Sequence, residues 1–307
     1  MIKYRWIQFK NRVVAWIDKA LQGTHNHYLC FWPGKIGFLS SWFLKLFFSG
    51  IKINKEQTLT LKKLKKEGIV VYVTKYKSYF EYLFYYTRFK QDGLAFPEIS
   101  FDYKVLIWQP VSRILRIFLS YFDYIFTNLS LPDAYAGDYI KQELINGRSG
   151  LLSLVEKKGF YRRFVKQKTD PLQYLIEMQQ SVEIGDRPIL IVPQLIFFSK
   201  NPHKSTPTIT DVLLGSEEKP GKIRRLIALF KNPEKVFMEI SEPINLKHFL
   251  ELDQIRQRGI EYQSLVLRRN LLLQINRHRQ STIGPTLKSR EELKESILTN
   301  DRLQSFM

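Results

Sequence analysis

The stretch GIVVYVTKYKSYFEYLFYY, residues 68–86, decides how the chain folds. After Gly68 come Ile69 to Val73, a run of β-branched and aromatic residues. A continuous apolar run of that kind reads as a strand buried on both faces of an α/β sheet. Thr74 to Ser78 reads as a polar turn, and an apolar helical pattern starts near Tyr79. A strand therefore delivers a short loop to the start of a helix. In an open α/β sheet, ligands bind outside the carboxyl ends of the strands, at junctions of this sort.

Two further apolar runs match the first. Leu151 to Val155 follows an Asn146-Gly147 turn, and Ile189 to Val192 is opened by Arg187-Pro188 and closed by Pro193. Ile99 to Phe101 and Val236 to Ile240 are shorter strand candidates. Helical patterns separate the runs, near 79–91, 138–144 and 171–181. Such alternation predicts an α/β fold with a largely parallel sheet flanked by helices, and with helical N- and C-terminal extensions. The expected organisation is a basic, aromatic helical region over 1–60, an α/β domain over 61–245 and a helical C-terminal extension over 246–307. Val111, Ile114, Leu115, Phe118, Leu119, Phe122, Ile125 and Phe126 recur at helical spacing, and this amphipathic helix is expected to pack in the core, with a lipid-facing surface as the alternative.

Charge narrows the partners. The 307 residues hold 48 Lys and Arg against 29 Asp and Glu, a net charge of +19. An anionic partner follows: a membrane face, a phosphorylated substrate or nucleic acid. Aromatic residues beside Lys or Arg, as in Ile2 to Ala20, favour the membrane face over nucleic acid. Over 1–60 a surface anchor and a helical pair packed on the main domain both fit. The early apolar positions are interrupted by Lys10, Arg12, Asp18 and Lys19, unlike a signal peptide. No stretch reaches the roughly 20 apolar residues that span a bilayer, so membrane contact is expected to be monotopic or peripheral. The single cysteine, Cys30, excludes a disulfide within the chain and reads as a small buried hydrophobe. His25 and His27 share a loop without carboxylates or cysteines at metal spacing, and no metal site is expected. His203 and His278 read as surface residues, and no glycine-rich phosphate loop is present.

The order of these blocks resembles that of the bacterial glycerol-3-phosphate acyltransferases and their lysophospholipid acyltransferase relatives, over roughly residues 68–290. Those proteins carry a strand, then His-x-x-x-x-Asp, then a helix. Here Tyr76 stands where the histidine would be and Glu81 where the aspartate would be. Their Gly-x-x-x-Phe-Ile-x-Arg segment resembles Asp123 to Asn128, and their Val-Glu-Gly-x-Arg-Ser resembles Val155-Glu156-Lys157-Lys158-Gly159, with arginines at Arg162 and Arg163. Val192-Pro193 and Ser241-Glu242-Pro243-Ile244 resemble later blocks, and Leu267 to Leu298 the helical tail.

The resemblance implies a membrane-surface acyltransferase of phospholipid biosynthesis at the cytoplasmic face. It would move a fatty acyl group from an acyl-CoA or acyl carrier protein thioester to a hydroxyl of glycerol-3-phosphate or a lysophospholipid. No other cofactor is implied. Tyr76 and Glu81 take the catalytic positions. Glu156, Arg162 and Arg163 are the expected substrate-binding residues, joined by Lys75 and Lys77, which flank Tyr76. A phenol of ordinary pKa near 10 is ionised only to about one part in a thousand at pH 7, which makes tyrosine a poor general base. A catalytically inactive relative that binds phospholipid or acyl carrier on the same scaffold is the alternative. His248 to Asp253 also spells His-x-x-x-x-Asp, but it opens a late helix with no downstream Glu-Gly-x-Arg-Ser and is expected to be coincidental.

Overall fold

Ile69–Tyr76 forms the central strand (β2) of the sheet. In the computed structural model, residues 2–21, 28–32, 38–48, 51–77, 79–101, 111–155, 169–198 and 236–283 are described. Helices α1 (Ile2–Leu21) and α2 (Phe38–Phe48) precede a short strand β1 (Lys52–Ile53) and helix α3 (Lys55–Glu67). After β2 come α4 (Tyr79–Gln91), β3 (Pro97–Ser100), α5 (Val111–Asn128), α6 (Tyr139–Ile145) and β4 (Ser149–Val155). Then follow α7 (Pro171–Gln180), a 3-10 turn (Val182–Ile184), β5 (Ile189–Phe198), β6 (Val236–Ile240) and β7 (Ile244–Asn245). Helices α8 (Leu246–Glu251), α9 (Asp253–Arg256) and α10 (Ile260–Ile283) close the described chain.

Among the described residues the seven strands make one sheet, ordered β1-β6-β5-β2-β4-β3, with β7 also paired to β5. Strands β2, β3, β4 and the first half of β5 run parallel, and β6 and β7 are antiparallel to β5. The fold is thus α/β with a mostly parallel mixed sheet flanked by helices, as the alternation of runs predicts.

The period of two along β2 sorts its side chains into two core layers. Ile69, Val71 and Val73 pack with Leu172, Leu175 and Ile176 of α7 and Leu267, Leu271 and Ile275 of α10. Val70 and Tyr72 pack on the other face with Phe84, Tyr85 and Phe89 of α4, Leu44 and Phe48 of α2, and Leu61 and Leu64 of α3. Tyr72 is fully buried, and its hydroxyl donates to the Ala95 carbonyl at 2.6 Å. Helix α3 is capped by Asn54, whose side chain accepts from Glu56 N.

Two strands run further than their apolar cores suggest. Thr74 to Tyr76, expected as a turn, continue β2 because Thr74 and Tyr76 pair with Ser153 and Val155 of β4. Pro193, expected to end its strand, lies inside β5. There the outer partner of β5 changes from β7, at Leu190 and Ile191, to β6, from Gln194 onward. Pro193 still accepts from Ser241 N, and the missing N–H falls where one ladder gives way to the next.

Helix α5 overturns the expectation of a core helix. Ile117 and Ser120 are its buried residues, and the Arg113 guanidinium lies 5.4 Å from the Phe31 ring centroid. Val111, Leu115, Phe118, Phe122 and Phe126 are exposed instead. At 100° per residue those five fall within an arc of about 80°, with Ser120 on the opposite side. The cause is that both faces of the sheet are already covered by other elements: no residue of α5 belongs to either core layer among the described residues. Its packing partner is α1. No helix among the described residues is long and apolar enough to cross a membrane.

Candidate functional site

The carboxyl edge of the sheet gathers the residues that the sequence singles out around β2. Thr74 is buried, and its hydroxyl donates to the Tyr76 carbonyl at 3.3 Å. Lys75 shares the face of Val71 and Val73, beneath α10, and its ammonium donates to Asn276 Oδ1 at 2.9 Å. The same Nζ lies 5.3 Å from the Tyr76 ring centroid, a cation–π contact worth about 0.5–1 kcal/mol at an exposed site. Tyr76 is 49% exposed, so its ring lies at the surface of the edge rather than in the core. Lys77 follows, half-buried. Glu81 lies in the first turn of α4, and its side chain falls outside the described structure.

Glu156, Arg162 and Arg163 lie outside the described residues. The ends of their segment are placed. Val155, the last residue of β4, is the Cα partner of Tyr76, so the chain leaves the sheet beside it. The chain is described again from Thr169, and Asp170 caps α7 by accepting from Leu172 N at 3.1 Å. Pro171 fills the first helical position, where no N–H is needed.

Asp170 is also one half of a buried ion pair. Arg268 of α10 sets Nη2 at 2.6 Å from Oδ1 and 2.7 Å from Oδ2 of that carboxylate, and its Nη1 donates to the Leu154 carbonyl. One guanidinium therefore joins the end of β4, the start of α7 and the middle of α10. Further along α10, Gln274 donates to the Glu242 carbonyl at 2.7 Å. His278 Nε2 stands 2.6 Å from Glu239 Oε2 of β6. Glu239 pairs with Leu195 of β5. Helix α10 thus lays a row of polar side chains over the edge on which the sequence places its site.

None of the α10 side chains is singled out by the sequence. His278 in particular reads there as a surface residue, yet less than a third of its side chain is exposed. A signal existed. Ser264, Leu267, Arg268, Leu271 and Ile275 repeat at the spacing of a core-facing stripe, and an arginine inside such a stripe requires a buried partner. His248, the start of the coincidental motif, is exposed and 3.8 Å from Glu251, and Asp253 is exposed on α9.

Cys30 is buried, and removal from water pushes its thiol up to about 12. Burial also pushes Tyr139 and Tyr174 up, with the nearby carboxylates adding to the shift. These phenols and the thiol stay neutral at physiological pH and belong to the packing. Among the described residues no three His, Cys, Asp or Glu side chains converge as a metal site would require.

The family model of the glycerol-3-phosphate acyltransferase PlsB N-terminal domain matches residues 119–284. That span holds β4 to β7 and α10, and lies beyond the Tyr76 stretch. The glycerol-3-phosphate acyltransferases of Haemophilus influenzae strains PittEE and 86-028NP are each 25% identical to the chain over 214 residues. The shared part is 68% of this chain and 26% of each relative, so the chain spans about a quarter of their length.

Proposed function

The chain belongs to the glycerol-3-phosphate acyltransferase PlsB N-terminal domain family, and from that premise we propose that it acts in acyl transfer to a glycerophosphate hydroxyl at a membrane surface. The acyl donor is a thioester, of coenzyme A or of acyl carrier protein. The observation that carries this reading is the meeting of Tyr76 and Val155 at one edge of the sheet. It puts Tyr76 beside the departure of the basic segment that holds Glu156, Arg162 and Arg163. Phosphate would be drawn to that segment, and Lys75 of β2 and Lys77 just past it add charge.

In the reaction the hydroxyl oxygen bonds to the thioester carbonyl carbon, and the carbon–sulfur bond breaks. The hydroxyl proton ends on the departing thiolate. A neutral phenol can relay it, accepting from the hydroxyl while donating to sulfur, and so avoids the roughly 4 kcal/mol needed to ionise an ordinary phenol at pH 7. Tyr76 takes that role here, with Glu81 as the second member of the site.

A second reading is favoured by the tyrosine at the histidine position. On it the chain binds phospholipid or acyl carrier without turnover. Incubating the purified chain with an acyl thioester and glycerol-3-phosphate, or lysophosphatidate, separates the two. Ester product that disappears in Tyr76→Phe supports transfer. Binding without product, unchanged by Tyr76→His with Glu81→Asp, supports the silent form.

A further inference from the structure

Among the described residues no element covers the outward apolar stripe of α5. Val111, Leu115, Phe118, Phe122 and Phe126 present it on the side away from Ser120, with exposures from 46% to 73%. Leu129 and Leu131, just past the helix, are exposed as well. Helix α1, packed against α5, buries Ile17 and leaves Trp6, Phe9 and Trp16 exposed. Phe9 and Trp16 are seven residues apart and share a flank of α1, as do Arg5 and Arg12 beside them. Arg5 and Arg12 are exposed too.

We propose that the α5 stripe, with the aromatic and cationic flank of α1 beside it, is the surface by which this chain docks on an anionic lipid bilayer. The proposal rests on the membrane-surface reading above and assigns it to particular side chains. Rings and aliphatic groups of α5 enter the boundary between headgroups and acyl chains, where an amphipathic helix lies in the plane of the interface. Arg5 and Arg12 meet the phosphates.

Charge selects this occupant over a second copy. Helix α1 carries Lys3, Arg5, Lys10, Arg12 and Lys19 against Asp18, and the chain as a whole carries +19. Self-association through the face would bring the Arg5 and Arg12 flanks of two copies together, whereas anionic lipid neutralises them. The cost of leaving five apolar side chains in water is removed in either case, so the cations make the difference.

The test uses the full chain and vesicles of phosphatidylcholine, with and without phosphatidylglycerol. We expect binding to the phosphatidylglycerol vesicles that weakens in high salt. Phe118→Ser with Phe122→Ser should lower the partition constant at least about tenfold. Arg5→Gln with Arg12→Gln should reduce the preference for anionic lipid. In the wild type, brominated acyl chains should quench tryptophan fluorescence, and Trp16→Phe should remove part of that quenching. The reading is overturned if the double serine variant, folded by circular dichroism, binds as well as wild type. It is overturned equally by a wild type that shows neither vesicle binding nor quenching, or that dimerises through this face and ignores vesicles. Docking without acyl transfer would leave this surface standing and remove the proposed function. Transfer to soluble glycerol-3-phosphate without docking would do the reverse.

Discussion

Arg268 and Asp170 form a buried bond between the last helix of the described chain and the residue that caps α7. The side chains are only 7% and 10% exposed, and one guanidinium nitrogen reaches both carboxylate oxygens. Because the same guanidinium bonds the Leu154 carbonyl, the pair fixes α10 to the edge where β4 ends. Its value lies in position: a buried pair seldom stabilises more than an apolar replacement, but breaking it strands a charge.

Asp170→Asn or Arg268→Met alone should therefore cost about 3–5 kcal/mol in urea unfolding. Arg268→Met combined with Asp170→Leu should recover much of that loss. If the single variants unfold at the wild-type urea midpoint, the pair does not hold α10 in place.

Tyr76→Phe should leave stability within about 0.5 kcal/mol of wild type, since the side chain is half exposed. Ester formation from thioester and glycerol-3-phosphate should fall to the uncatalysed level, because the phenol proton is gone. A variant with full activity would take Tyr76 out of the mechanism. One that melts early would show that the hydroxyl is structural.

Gly68→Ala should destabilise by about 2–3 kcal/mol. A Cβ at Gly68 would sit 2.3 Å from the Pro188 carbonyl oxygen, and that same oxygen accepts from Ile69 N at 2.9 Å. The backbone must move and the start of the β2–β5 ladder with it. A thermal melt unchanged by the substitution would mean that this end of the sheet is slack.

Cys30 should resist modification. Its thiol is pushed from 9.0 up to about 12, and three units lower the thiolate fraction about a thousandfold below pH 9. A chromogenic disulfide reagent at pH 8 should label the native chain far more slowly than the chain in urea. Equal rates would place Cys30 in contact with solvent.

The course of β2 shows how far the residues can be read in order. Ile69 to Val73 declare a buried strand, but Thr74 to Tyr76 are polar or amphipathic and read as a turn. They are strand because Thr74 and Tyr76 pair with Ser153 and Val155 of β4, a segment some 80 residues away. His278 of α10 reads as a surface residue for a related reason: its partner Glu239 is 39 residues upstream, on β6.

The sequence by itself determined where the buried strands run, that helices separate them, that the sheet is largely parallel, and which family the blocks resemble. All of that is written in local period and composition. Strand order, the reach of β2 and β5, the Arg268–Asp170 bond and the outward turn of α5 were decided by tertiary structure alone. A hydrophobic period marks one side of a helix as apolar. It does not say whether that side meets a sheet or the solvent, because the answer depends on which surfaces the rest of the chain has already covered.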